Sequence, residues 1–208
     1  MMDTLWTGTH VGLRERQDAA ISALCAMSAV LNPAAAAHSD ATALLAARMA
    51  STLGVDEATI FRVERIGRVH DIGLNGVDPL ISEKRDPLTE REFETLRLHA
   101  ERGAAILAAT PALAEWAPIV RSHHERFDGT GYPDGLLGAE IPLESRIIAV
   151  ADAFQAMTTP HRWRAMIAPF AAVQELLRNA GTQFDPDVVE ALTTTLSVRR
   201  AGSAAQSA

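Results

Sequence analysis

Apolar residues return along this chain every third and fourth position, the spacing of a helix with one buried face, and breaks marked by Gly, Pro or Asp cut the pattern into segments. The stretch through about residue 11 has no clear period. A helix is predicted over 13–30, with Ile21, Leu24, Cys25 and Met27-Ser28-Ala29 near one face, and Asn32-Pro33 breaks it. A second spans 39–53, with Leu44, Leu45 and Met49 at helical spacing and Gly54 as its stop. Asp56 caps a third, which carries Ile60, Val63, Ile66 and Gly67 toward His70. Residues 78–87 read as a loop. Thr89-Glu90-Arg91-Glu92 then has the form of a capping box, opening a helix that passes Leu96, Leu98 and His99 to Leu107. Another is predicted over 111–126, ending in His123-His124. Ile141-Pro142 opens the next, with Ile147, Ile148, Val150 and Ala151 buried up to Asp152. Two more follow, near 170–177 and after Asp185-Pro186. The prediction is an all-α bundle of about eight helices. It divides into an N-terminal helix or linker (1–30), one domain (31–198) and a disordered tail (199–208).

Composition narrows the partners. The 48% hydrophobic and 22% charged content is that of a globular domain. The apolar runs are too short to span a membrane, and no signal peptide opens the chain. Cys25 is the single cysteine, so no intramolecular disulfide can form, and a cytoplasmic setting is expected. A net charge of −7 argues against tracking a DNA or RNA backbone. It does not argue against a small phosphodiester, because bound cations would reverse the local field.

Candidate chemistry gathers in His38, His70-Asp71, His99, His123-His124 and Asp152. Imidazole and carboxylate are the ligand set for Mn, Fe or Zn. Two such ions about 3.5–4 Å apart can clamp the attacking and leaving oxygens of a phosphoryl displacement. Neighbouring helical residues diverge by about 100°, so His123 and His124 can serve one ion only near a helix end, and Gly129-Thr130-Gly131 places an end nearby.

Over roughly residues 38–196 these stretches resemble the HD-GYP domain, a branch of the HD metal-dependent phosphohydrolases. Val69-His70-Asp71-Ile72-Gly73 is similar to its histidine-aspartate signature, and Leu98-His99-Ala100-Glu101-Arg102-Gly103 to the next ligand block. The run from His123 through Phe127-Asp128-Gly129-Thr130-Gly131-Tyr132-Pro133 resembles the name-giving motif. Val150-Ala151-Asp152-Ala153-Phe154 and Gly181-Thr182-Gln183-Phe184-Asp185-Pro186 match the last two blocks. The resemblance implies an HD-domain helical bundle that hydrolyses cyclic di-GMP, or a related cyclic dinucleotide, to linear pGpG and onward to GMP. It implies a centre of two divalent ions, Fe or Mn. His38, His70 and Asp152 would hold one ion, His99, His123 and His124 the other, and Asp71 would bridge. Asp71 and His70 would be the catalytic pair, and a water acidified by the two cations the nucleophile.

By the same resemblance Gly131, Tyr132, Pro133, Leu74, His161 and Arg164 face substrate. Arg164 matches a basic residue of the family, but Leu74 stands where active members carry lysine and His161 where they carry arginine. Each lost charged hydrogen bond costs ~1.5–3 kcal/mol. These departures motivate a rival reading, a catalytically impaired metal- and ligand-binding module that docks a cyclase, a regulatory domain or a second copy of itself. Ala34 replaces the glutamate of three-ion members, which favours two ions. Tyr132 suits base stacking or a lid on its own domain. Glu125 reads as a carboxylate orienting an imidazole or as a surface residue, and Trp6, Trp116 and Trp163 read as packing residues.

Overall fold

The structure, a computed structural model, describes the backbone of residues 4–82, 84, 86–160 and 165–205, and the side chains of those between 12 and 197. His161, Trp163, Arg164 and the Trp6 side chain lie outside the described residues. The helices are α1 (Thr4–Leu31), α2 (Pro33–Thr52), α3 (Glu57–Gly67), α4 (Pro79–Ser82), α5 (Glu90–Arg97), α6 (His99–Ala108), α7 (Ala117–Arg121), α8 (Leu143–Thr158), α9 (Pro169–Arg178) and α10 (Pro186–Ala205). With α4 and α7 only four and five residues long, eight helices of two turns or more remain, and the all-α expectation is borne out. No strand forms among the described residues.

Helix ends differ from the pattern for local reasons. Asn32-Pro33 starts a helix instead of preceding a gap: the Asn32 side chain accepts the Ala35 N–H at 3.0 Å, and Pro33 fits the first helical position. That places His38 in the second turn of α2, with Ala34 one turn before it. Asp78 caps the short α4 inside the predicted loop, accepting the Leu80 N–H at 2.9 Å. The helix predicted to run from Thr89 past His99 divides at Leu98 into α5 and α6. The helix expected to reach Arg126 stops at Arg121. At the termini, α1 begins at Thr4, although no period marks residues 4–11, and α10 continues to Ala205 where disorder is expected from Arg199. No proline interrupts either extension, so helix propagates from the packed turns.

Packing centres on α2, which lies against α1, α3, α8 and α10. Its inner face is Ala43, Leu45, Ala46, Met49 and Ala50; Leu44 is 66% exposed, a correction to the predicted stripe, because it lies about 100° round the helix from Leu45. Val63 and Ile66 of α3, Ile147, Ile148 and Val150 of α8, and Val188 and Leu192 of α10 close the core, each worth ~1.5–3 kcal/mol of transfer free energy. Ile21 of α1 belongs to the same core, whereas Met27 is exposed. Trp116 is buried edge-on to Phe61, in its expected packing role. No helix among the described residues is long and apolar enough to cross a membrane.

Candidate metal centre

Three of the histidines are placed by one local rule. The last carbonyls of a helix have no partner within it. His70 Nδ1 lies 2.7 Å from Gly67 O at the end of α3, His99 Nδ1 lies 2.7 Å from Leu96 O at the end of α5, and His123 Nδ1 lies 2.5 Å from Val120 O at the end of α7. Each helix terminus thereby takes an imidazole N–H three residues on. The carbonyl fixes the proton on Nδ1 and turns the Nε2 lone pair inward. Early termination of α5 and α7 is therefore what aims His99 and His123, and it lets the adjacent His123 and His124 rings converge, 4.1 Å between centroids.

Inward atoms meet at Asp71. Its Oδ1 lies 3.3 Å from His99 Nε2 and 3.7 Å from His123 Nε2, and its Oδ2 lies 3.4 Å from His70 Nε2. Asp152 Oδ1 is 2.6 Å from His38 Nε2 and 3.8 Å from His70 Nε2. Among the described residues, donor atoms close enough to hold a cation fall into two groups, Asp71 with His99, His123 and His124, and His38 with His70 and Asp71. Asp71 belongs to both. All seven residues nominated by the sequence converge on this one place.

The donor set fits cations. His99 Nε2 faces His123 Nε2 at 3.2 Å and His124 Nε2 at 3.0 Å. With Nδ1 protonated on both His99 and His123, the neutral forms set two lone pairs against each other, an arrangement that a positive charge between them, a proton or a metal ion, relieves. His70 Nε2 is fully buried without a hydrogen-bond partner. Electrostatics agree. Burial pushes both aspartates toward higher pKa, but neighbouring imidazoles (His70, His123 and His99 at Asp71; His38 and His70 at Asp152) hold both well below the usual carboxylate range. Burial, reinforced by the other imidazoles, drives His124 and His123 down, so both are neutral. At His70 and His99 burial also lowers the pKa, yet adjacent carboxylates outweigh it and raise both. Those two must release a proton before binding a metal.

A glycine-rich loop caps the centre. Glu125, only 4% exposed, accepts backbone N–H groups from Asp134 at 2.7 Å, Gly135 at 3.1 Å and Leu136 at 3.2 Å. It thus neither orients an imidazole nor lies on the surface, as both sequence readings had it; it gathers the loop. Thr182 O and Gln183 O accept the Asp128 and Phe127 N–H groups, so the Gly181–Pro186 motif anchors the loop from behind. Gly131 passes so close to the preceding turn that a Cβ there would lie 2.2 Å from Arg126 N. Tyr132 is folded back, stacked on His124 with ring centroids 5.0 Å apart, and the Arg97 guanidinium lies 4.2 Å over the tyrosine ring. Sequence reasoning missed Arg97, which has no chemical motif of its own beyond its place two residues before His99. Leu74 and Asp71 line one cavity of about 140 Å³ with Asn32, Arg68 and Asn75.

Comparison with known proteins agrees with this geometry. The HD domain family model matches residues 22–188. A cyclic di-GMP phosphodiesterase of Thermotoga maritima is 36% identical over 156 residues, which are 74% of this chain and 42% of that protein. A 3'3'-cGAMP-specific phosphodiesterase of Vibrio cholerae is 34% identical over 167 residues, 80% of this chain and 36% of that protein. The chain thus spans less than half the length of these relatives. An HDGYP protein of Bdellovibrio bacteriovorus shares the fold, with a TM-score of 0.65 at 17% identity, covering 78% of this chain and 52% of that one. The family read from the ordered motifs is borne out: this chain belongs to the HD domain family.

Proposed function

We propose that the chain is a metal-dependent phosphodiesterase that opens a cyclic dinucleotide, cyclic di-GMP first, to its linear form. The observation that carries this reading is the shared Asp71, one carboxylate reaching both histidine groups. His38, His70 and Asp152 would hold one ion and His99, His123 and His124 the other, with Asp71 common to both. The ions suited to this ligand set are Fe or Mn. When bound they would supply the positive charge that polarises the phosphodiester and acidifies water.

The chain's own groups do the rest. The carbonyls of Gly67, Leu96 and Val120 keep three imidazoles in the ligand tautomer. Asp152, in contact with His38, fixes that ring against α8. Tyr132 stacks on His124 and covers that face of its ring. Leu74 makes one wall of the adjoining cavity apolar, and this observation favours the second reading, a module that holds metal and ligand with little turnover. His161 and Arg164, outside the described residues, would face the same substrate. Anaerobically purified protein loaded with iron or manganese should convert cyclic di-GMP to pGpG. Loaded protein that binds the dinucleotide and leaves it intact supports the second reading, and loaded protein that neither binds nor cleaves any cyclic dinucleotide contradicts both.

A further inference from the structure

We infer that Arg97 is a substrate-binding residue, its guanidinium holding a phosphate of the dinucleotide beside the metal centre; this rests on the proposed phosphodiesterase function. The guanidinium is fixed by stacking 4.2 Å over Tyr132, the ring that itself stacks on the candidate ligand His124. Attraction to the face of a ring uses no N–H···O bond, so the guanidinium donors stay available, and a guanidinium grips phosphate oxygens in pairs. Among the described residues the Arg97 side chain makes no hydrogen bond or ion pair.

Its neighbours contrast with it. Arg68 is engaged by Asp40, Arg102 by the Gly76 carbonyl, and Arg121 by Asp134 and Glu101. In a chain of net charge −7, a half-buried cation with idle donors beside the centre is unusual. The C-terminus of α5 favours a positive charge at Arg97, but the helix dipole acts without hydrogen bonds and does not account for the stacking on Tyr132. Position matters too: the Leu96 carbonyl, one residue earlier, holds His99 Nδ1. Arg97 and the metal ligand are therefore set by the same helix end. Leu74 itself carries no charge, and Arg97 places a cation on the loop side of the centre, over Tyr132.

Arg97→Ala and Arg97→Lys should be compared with wild type by KM for cyclic di-GMP, by equilibrium affinity for pGpG at several salt concentrations, and by metal content. Losing a charged, paired hydrogen bond should weaken both affinities about 10- to 100-fold in Arg97→Ala. Metal content should stay at the wild-type level, kcat should change less than KM, and pGpG affinity should become less salt-dependent. Arg97→Lys, which keeps charge but not the planar fork, should recover part of the loss. Wild-type KM and pGpG affinity in Arg97→Ala would overturn the inference alone, as would a parallel loss of metal, which would make Arg97 a support for His124. Wild-type protein that neither binds nor cleaves cyclic di-GMP would instead overturn the function reading, and this inference with it.

Discussion

Gly73 offers a strict test of how the fold sets the centre. It follows Asp71 by two residues in the short 3-10 turn Ile72–Gly76, which packs against α6. A Cβ at Gly73 would stand 2.0 Å from His99 O, 2.7 Å from Gly103 N and 2.8 Å from His99 C. Side-chain Cβ atoms do not approach within 3.0 Å of such atoms, so Gly73→Ala must separate the 3-10 turn from α6 by about 1 Å (3.0 − 2.0). These three nearest atoms are all backbone, so no rotamer change relieves the clash. Overpacking of this kind costs roughly 1–3 kcal/mol. The displacement also moves His99 Nε2 off its 3.3 Å approach to Asp71, and misplacement by ~1 Å costs on the order of 100-fold in rate. Gly76 ends the same turn, and a Cβ there meets only the flexible Arg102 Cδ at 3.7 Å. Thermal unfolding, metal content and turnover should therefore fall together in Gly73→Ala and stay near wild type in Gly76→Ala. Equal behaviour of the two variants would refute the claim that the close crossing of this turn with α6 aligns Asp71 and His99.

Further outcomes follow from the same geometry. Asp71→Ala should abolish binding of both ions, whereas His124→Ala should lose mainly one; elemental analysis decides, and one ion at full occupancy in Asp71→Ala would count against the bridge. Leu74→Lys should lower KM for cyclic di-GMP and leave kcat within about a few-fold, because a contact made alike in ground and transition states affects mainly binding; unchanged kinetics would mean that Leu74 does not face substrate. Glu125→Gln replaces a carboxylate that accepts three N–H groups, and it should destabilise the protein by about 2 kcal/mol in chemical denaturation. The Glu92 carboxyl, held by Lys84 and the Thr89 cap, titrates at about 2 instead of 4.5. A lowered folded-state pKa contributes stability above the unfolded value and loses it as pH falls through the folded one. The Thr89 amide, monitored by NMR in the folded protein, should therefore titrate with a midpoint near pH 2, while the stability that the cap lends declines from about pH 4.5 toward pH 2.

Much of this was legible in the sequence because it depends on local rules. Asp56, Thr89-Glu92 and Asp185-Pro186 mark helix starts through caps whose geometry is set within four residues. The seven candidate ligands stood out because their blocks follow one another in the order and spacing of the family they resemble. The tertiary consequences were hidden. Leu44 and Leu45 are equally apolar, and only the packing of α2 against its neighbours decides which is buried. The break at Leu98 leaves no Gly or Pro in the sequence, since it arises where α5 ends and His99 takes the Leu96 carbonyl. Glu125 and Arg97 were misread or missed because their partners, the loop amides at 134–136 and the Tyr132 ring, lie 9 to 35 residues away.

The ratio of metal to protein tests the central claim most directly. Protein purified without oxygen and saturated with iron or manganese should hold two ions per chain, one for each histidine group that shares Asp71. A saturating ratio of one or zero would contradict a two-ion centre.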